Sequence, residues 1–311
     1  MRQRSLRGTT LVSVTEPPFP PSGEQVELAH GDQEAVVTGI GAGLRRYSAR
    51  GRAVLDGYEV DELCPSGRGQ LLSPWPNRIE DGRYEFGGST YQLALDEPER
   101  RNAIHGLVRW SQWSVAERAA DRAVLEHTLF PTPGYPFTLA LRAEYALSGD
   151  GLGVRIEATN VGAEPCPYGA GQHPYLAVEG DLVDAAELQV PAATVLESNE
   201  RGLPVGESAV AGELDFRAAR EIGSTVLDRC FTGLDRDTDG RARVRLGETT
   251  LWVDGSWPYV MVFTGDPLPD VARRSVAVEP MTCAPNAFRT GDGLVVLEPG
   301  ETHSGSWGIT P

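Results

Sequence analysis

The chain contains no lysine; all 28 of its basic residues are arginine. That excludes Schiff-base catalysis, attachment of pyridoxal phosphate and the phosphate-gripping lysine of a P-loop. Positive charge is short overall, with 28 basic against 44 acidic residues and a net charge of −16. Proteins bind nucleic acid by neutralising its phosphates with basic surface, so nucleic acid is excluded as a partner and a neutral small molecule is expected. The four cysteines, Cys64, Cys166, Cys230 and Cys283, are scattered. They form no CxxC pair and no metal-ligand spacing, so free buried thiols are expected and no metal site. No apolar run approaches the ~20 residues that span a bilayer, so no membrane partner is expected. Arg2, Arg4 and Arg7 are followed by Thr9-Thr10-Leu11-Val12-Ser13 rather than an apolar segment. The expectation is therefore a cytoplasmic protein without a signal peptide.

What is abundant is turn chemistry: 36 glycines and 23 prolines in 311 residues, which favours many short strands over long helices. Residues 1–25 include Pro17-Pro18-Phe19-Pro20-Pro21 and read as a flexible lead-in, because proline cannot donate to a ladder. From residue 26 to 311 the text reads as one domain of strand after strand. Leu139, Leu141, Ala143, Tyr145 and Leu147 alternate with polar or small residues. Gly149-Asp150-Gly151 then turns the chain, and Leu152, Val154, Ile156 and Ala158 alternate again, which predicts a hairpin. Two more hairpins are predicted around Gly87-Gly88 and around Gly247-Glu248. Residues Asp215 to Ile222 could form a short helix. The fold class is all-β, a large antiparallel β-sandwich.

Five histidines exist, and their surroundings separate them. His30, His127 and His303 stand in ordinary turn or strand text. His105 is followed directly by Gly106, which permits close backbone approach. His173 lies in Gly169-Ala170-Gly171-Gln172-His173-Pro174-Tyr175, between small residues and a proline, which predicts a specially shaped segment. Glu279 closes the apolar run Ser275-Val276-Ala277-Val278 and is read as a strand-end residue, facing either solvent or a cleft. In a cleft, burial would raise its pKa toward the range of a general base. Arg78 follows Trp75-Pro76-Asn77, and Asp228 precedes Arg229-Cys230-Phe231. Each is a binding or a structural residue on this evidence.

Taken together and in order, these segments resemble the aldose 1-epimerase, or galactose mutarotase, family. The matching text is Pro76-Asn77-Arg78-Ile79, Asn102 through Gly106, His173-Pro174-Tyr175-Leu176, Leu227-Asp228-Arg229-Cys230-Phe231 and Val278-Glu279-Pro280-Met281-Thr282. The resemblance spans about residues 30 to 310. It implies a galactose mutarotase-like β-sandwich that interconverts the α and β anomers of a free aldose without a cofactor. By motif position Glu279 falls on the family's catalytic base and His173 on its catalytic acid. Arg78, His105, Asp228, Asn77 and Tyr175 fall on sugar-binding positions.

Two departures bear on substrate. Pro174-Tyr175 follows the histidine where well-known members have Ser-Tyr, and Met261 stands where many have a glutamine. A methionine cannot replace an amide's hydrogen bonds to a hydroxyl, so galactose is not the expected preference. The alternatives are a hexose-6-phosphate mutarotase, for which Arg45, Arg46, Arg100, Arg101 and Arg109 are candidate cations, a glycoside hydrolase or lyase, and a non-catalytic sugar-binding protein. The sugar-stacking aromatic is to be sought among Trp75, Trp110, Trp257 and Phe288.

Overall fold

The computed structural model describes residues 19–311. The part of the expected lead-in before Phe19 lies outside the described residues. The part after it is already tied to the body: the Ser22 carbonyl accepts from the Ile40 N–H at 3.0 Å, and the first strand begins at Gln25.

Strands dominate, and the one α-helix among the described residues is the four-residue Ala287–Thr290. A nine-stranded antiparallel sheet runs in the order Ser114–Arg118, Arg122–Leu129, Leu139–Ser148, Gly151–Asn160, Thr302–Thr310, Thr249–Val253, Ala242–Leu246, Glu187–Gln189 and Arg220–Glu221. The three predicted hairpins are present. Leu139–Ser148 pairs with Gly151–Asn160, Arg83–Phe86 with Ser89–Gln92, and Ala242–Leu246 with Thr249–Val253. The helix expected over 215–222 is absent. Arg220–Glu221 instead adds an edge strand beside Glu187–Leu188, so sheet pairing overrides the local tendency.

A second, eight-stranded sheet carries Pro204–Ala209, Ala192–Ser198, Asp228–Leu234, Tyr259–Phe263, Ser275–Met281, Gly171–Gln172 and Leu71–Leu72, with Tyr175–Ala177 also paired to Ser275–Met281. A four-stranded sheet over Gln25–His30, Gln33–Thr38, Leu44–Ala49 and Arg52–Ala53 stands beside them. The period-2 alternation of strands divides the eight-stranded sheet into two faces. Val195, Phe231, Val260, Val262, Val276 and Val278 join one core with Leu139, Leu141, Tyr145, Val154, Trp307 and Ile309 of the nine-stranded sheet. Gln172 reaches into that core and donates to the Tyr145 hydroxyl at 2.8 Å, a buried polar tie between the sheets. The opposite face collects Leu196, Cys230, Met261 and Met281 in a separate apolar cluster. Glu279 shares that face. All four cysteines are free and buried.

Candidate active site

Ser275–Met281 is buried along its whole length. Glu279 is therefore an interior strand residue rather than a strand-end one, and it is only 2% exposed. Register explains its neighbours. Cys230 lies opposite Met261, and Met261 lies opposite Glu279. On the other side, Gly171 pairs with Met281 and Tyr175 with Ala277, so His173 falls opposite Glu279. Gly171 and Gln172 pair in turn with Leu72 and Leu71, which brings Gln70 beside His173. Here the backbone bonds run both ways. His173 N–H donates to the Gln70 carbonyl at 3.2 Å, and Gly69 N–H donates to the His173 carbonyl at 2.8 Å.

One row of positions thus runs across the sheet, with the two titratable groups at its centre. His173 Nε2 stands 3.3 Å from Glu279 Oε1, and both side chains are buried. Burial, followed by repulsion from Asp228, pushes the Glu279 carboxyl up to about 8 against an opposing pull from Arg78. Burial also takes His173 down to about 3, aided by the positive charge of Arg68, Arg109 and Arg78. Both shifts run toward the uncharged forms, a protonated carboxyl beside a neutral imidazole. Among the described residues, Glu279 Oε2 and His173 Nδ1 make no hydrogen bond.

His105 reaches the same place from a strained turn. Its φ is +62°, and the following Gly106 presses so closely on Ser73 that an added Cβ would lie 2.1 Å from the Ser73 carbonyl oxygen. The His105 ring stands edge-on to His173 with centroids 5.3 Å apart. Its Nδ1 accepts the Asn77 backbone N–H at 3.2 Å, and burial keeps the ring neutral. The remaining Nε2 then carries the proton and is a hydrogen-bond donor.

Arg78 is held from behind. Its guanidinium makes a two-pronged pair with Glu97, with Nε to Oε2 at 2.9 Å and Nη2 to Oε1 at 3.0 Å. Its Nη1 contacts Asn77 Oδ1 at 3.3 Å. Asn102, fully buried, donates to the same Glu97 carboxylate at 2.8 Å. Burial pushes Glu97 up, but the bonds and charge of Arg78 more than offset it, and the carboxyl stays below its ordinary range. Asp228 opens the strand Asp228–Leu234, half-buried, close enough to act electrostatically on both Arg78 and Glu279. Tyr175 packs against His173. Its hydroxyl donates to the Ser66 carbonyl at 3.2 Å, and its ring lies flat against His173.

Glu97, Arg68 and Gln70 went unnoticed in the sequence, and Asn102 was read only as the start of the His105 motif. The only signals for the others were the glycines flanking Arg68 in Ser66-Gly67-Arg68-Gly69-Gln70. His30, His127 and His303 are elsewhere; His127 Nδ1 lies 3.0 Å from the Gln112 carbonyl in the nine-stranded sheet. Of the four aromatics considered for stacking on a sugar, Trp75, Trp257 and Phe288 are buried and Trp110 is exposed. The arginines considered for a phosphate already have partners in three cases: Arg100 near Glu97, Arg101 near Asp81 and Arg109 at 2.7 Å from Asp96. Arg45 and Arg46 line a separate groove of about 1170 Å³ that also includes Asp56, Tyr58, Ser66 and Arg274. Glu279 and His173 are not part of that groove. Among the described residues no three His, Cys, Asp or Glu side chains gather as metal ligands, and no helix is long and apolar enough to cross a membrane.

The chain as a whole is similar to known proteins. The chain is 37% identical to the uncharacterized protein YihR of Escherichia coli K12, over 91% of each chain. Its fold matches the GalM/aldose epimerase homologue of C. elegans with a TM-score of 0.83 at 18% identity, covering 92% of this chain and 98% of the other. It matches galactose 1-epimerase from Lactobacillus acidophilus with a TM-score of 0.76 at 21% identity, covering 92% and 93%. The family model for aldose 1-epimerase matches residues 24–310, and the chain belongs to that family.

Proposed function

We propose that the protein is an aldose 1-epimerase that interconverts the α and β anomers of a free aldose. The observation that carries this reading is the buried Glu279–His173 pair, 3.3 Å apart, with burial pushing the carboxyl up and the imidazole down. Ring opening of a hemiacetal takes a proton from the anomeric hydroxyl and gives one to the ring oxygen. An enzyme for it needs one base and one acid within reach of the same C1–O5 unit.

In the proposed mechanism the anomeric hydroxyl donates to the free Oε2 of Glu279. That bond and the Arg78 charge favour the carboxylate, so the pair's proton passes through His173 as the ring oxygen takes it up. Glu279 then removes the hydroxyl proton while His173 protonates the ring oxygen, and the C1–O5 bond breaks. The open-chain aldehyde turns about C1–C2, and the same groups return their protons as the ring closes on the other face. The His105 Nε2–H and Arg78 steady the developing negative charge, and Asn77 and Asp228 complete the polar surround. The arginines that would have to grip a C6 phosphate are largely committed to carboxylates, which favours an unphosphorylated sugar.

The test is polarimetry of freshly dissolved α-anomers of glucose, galactose and other aldoses, with and without protein, at low buffer concentration. Acceleration by the wild type, lost in Glu279→Gln, supports the reading. No acceleration with any free sugar refutes it, and acceleration confined to glucose 6-phosphate replaces it with the phosphosugar alternative.

A further inference from the structure

The imidazole of His173 is held from several sides by groups outside the proposed sugar-binding set. The Tyr175 ring is stacked on it, with centroids 4.9 Å apart and planes within 9°. The Arg68 guanidinium carbon sits over the same Tyr175 ring, 4.0 Å from its centroid. Arg68 is itself fixed. Its Nη1 lies 3.0 Å from Asp56 Oδ2 and also donates to the Asp56 carbonyl at 3.1 Å and to Ser275 Oγ at 3.3 Å. Asp56 is further held by Arg274 at 2.9 Å and by the Ser275 hydroxyl at 2.7 Å. Arg68 is 2% exposed, and with Asp56 and Arg274 it forms part of the wall of the groove described above.

The backbone around Arg68 is shaped to bring it there. Ser66, Gly67 and Gly69 all have positive φ. A Cβ on Gly69 would lie 2.1 Å from the Leu44 carbonyl oxygen. A Cβ on Gly67 would lie 3.4 Å from His173 Cδ2, so the loop closes against the edge of the same imidazole. The Tyr175 hydroxyl donates to the Ser66 carbonyl of that loop, which ties the middle of the stack to its far end.

We propose that Arg68 and Tyr175 are positioning residues for His173, forming a guanidinium–phenol–imidazole stack that fixes the ring plane so that Nε2 meets Glu279. This rests on the epimerase reading above. The physical basis is that a proton-transfer group displaced by about 1 Å loses on the order of 100-fold in rate. A planar cation on an aromatic face resists such displacement, while a hydrogen bond alone leaves the imidazole free to tilt. The charged and titratable groups facing the ring are Glu279 at Nε2, His105 at its edge and Tyr175 on its face, with Arg68, Arg109 and Arg78 acting through space.

The experiment compares the wild type with Arg68→Met, Arg68→Lys and Tyr175→Leu, each first checked for a cooperative thermal transition. Anomerisation kcat and KM are measured on a sugar the wild type accelerates. The His173 ring is followed in histidine-selective ¹⁵N spectra. Arg68→Met and Tyr175→Leu are expected to lower kcat ~10- to 100-fold with KM changed less than about threefold. The His173 signals should change from one dominant neutral tautomer to an averaged pair. Arg68→Lys, which keeps the charge beside Asp56 but offers no plane, is expected to stay near the Arg68→Met rate. Full activity in Arg68→Lys, or unchanged kcat and ring signals in Tyr175→Leu, overturns the proposal. If Arg68→Met does not fold, Tyr175→Leu carries the test. A wild type that accelerates no sugar sinks the epimerase reading, and the ring spectra then still decide whether the stack holds His173.

Discussion

Glu279 and His173 are cross-strand neighbours on one sheet. The pairs Gly171 with Met281 and Tyr175 with Ala277 bracket them, and His173 lies with Pro174 in the gap between the strands Gly171–Gln172 and Tyr175–Ala177. The two groups assigned to proton transfer are thus set by backbone register, which is far stiffer than a pair of loops. The apolar residues Met261 and Cys230 continue the row beyond Glu279 and exclude water from one side of it. Burial as a whole is the leading cause of the raised carboxyl pKa.

Removing either proton-transfer group should leave a folded protein with little activity. Glu279→Gln and His173→Asn are each expected to cut turnover at least ~100-fold, as measured by polarimetry under matched buffer. Either variant keeping most of the wild-type rate would remove that residue from the proposed chemistry.

The pH profile follows from the single shared proton. Below about 3 the pair gains a second proton and loses its base; above about 8 it loses its only proton and hence its acid. The kcat/KM of the free enzyme is therefore expected to be flat through the neutral range and to fall above about pH 8. A sharp decline between pH 7 and pH 6 would show that the pair is not held in this state.

Stability carries the same signature with its own sign. The folded-state pKa of Glu279 is raised from 4.5, so its burial is best tolerated below pH 4.5, and the cost of ionising it grows until pH exceeds about 8. Glu279→Gln has no such cost. Its Tm relative to wild type is expected to be higher at pH 9 than at pH 5, and thermal melts at the two values test it. An equal difference at both would mean that the carboxyl is not buried in the ionised state.

Glu97 supports the site without facing it. Removing it in Glu97→Ala leaves Arg78 with its charge largely desolvated and its two-pronged partner gone. A loss of about 3 kcal/mol in unfolding free energy is expected, read from denaturant titration, together with a raised KM as Arg78 swings from its place. A stability change near zero would mean that Asp228 or solvent replaces Glu97 without cost.

The strands and hairpins were legible because each depends on neighbours in sequence. Alternation at Leu139 to Leu147, a Gly-Asp-Gly turn and alternation again at Leu152 to Ala158 define both partners within about twenty residues. The turn around His105 was legible for the same reason, since Gly106 signals its own close contact. What was hidden depends on distant partners. Glu279 read as a strand end because nothing local shows that Tyr259–Phe263 and the His173 segment cover both of its sides. Arg68 reaches His173 from more than 100 residues away, through an aromatic ring whose usual reading was a sugar contact. Arg220–Glu221 left the helix expected there because its pairing partner, Glu187–Leu188, lies some thirty residues earlier.

The strand Thr302–Thr310 has one further consequence. It lies inside the nine-stranded sheet, between Gly151–Asn160 and Thr249–Val253, and supplies Trp307 and Ile309 to the main core. A ribosome making this chain must deliver residue 310 before the strand Gly151–Asn160, finished about 150 residues earlier, can cover its open edge. For that interval the nascent protein exposes an unpaired ladder of backbone groups, a template for wrong partners. Closure of the sheet at this strand is therefore a late event, and the chain depends on swift completion or on protection of that edge while it waits.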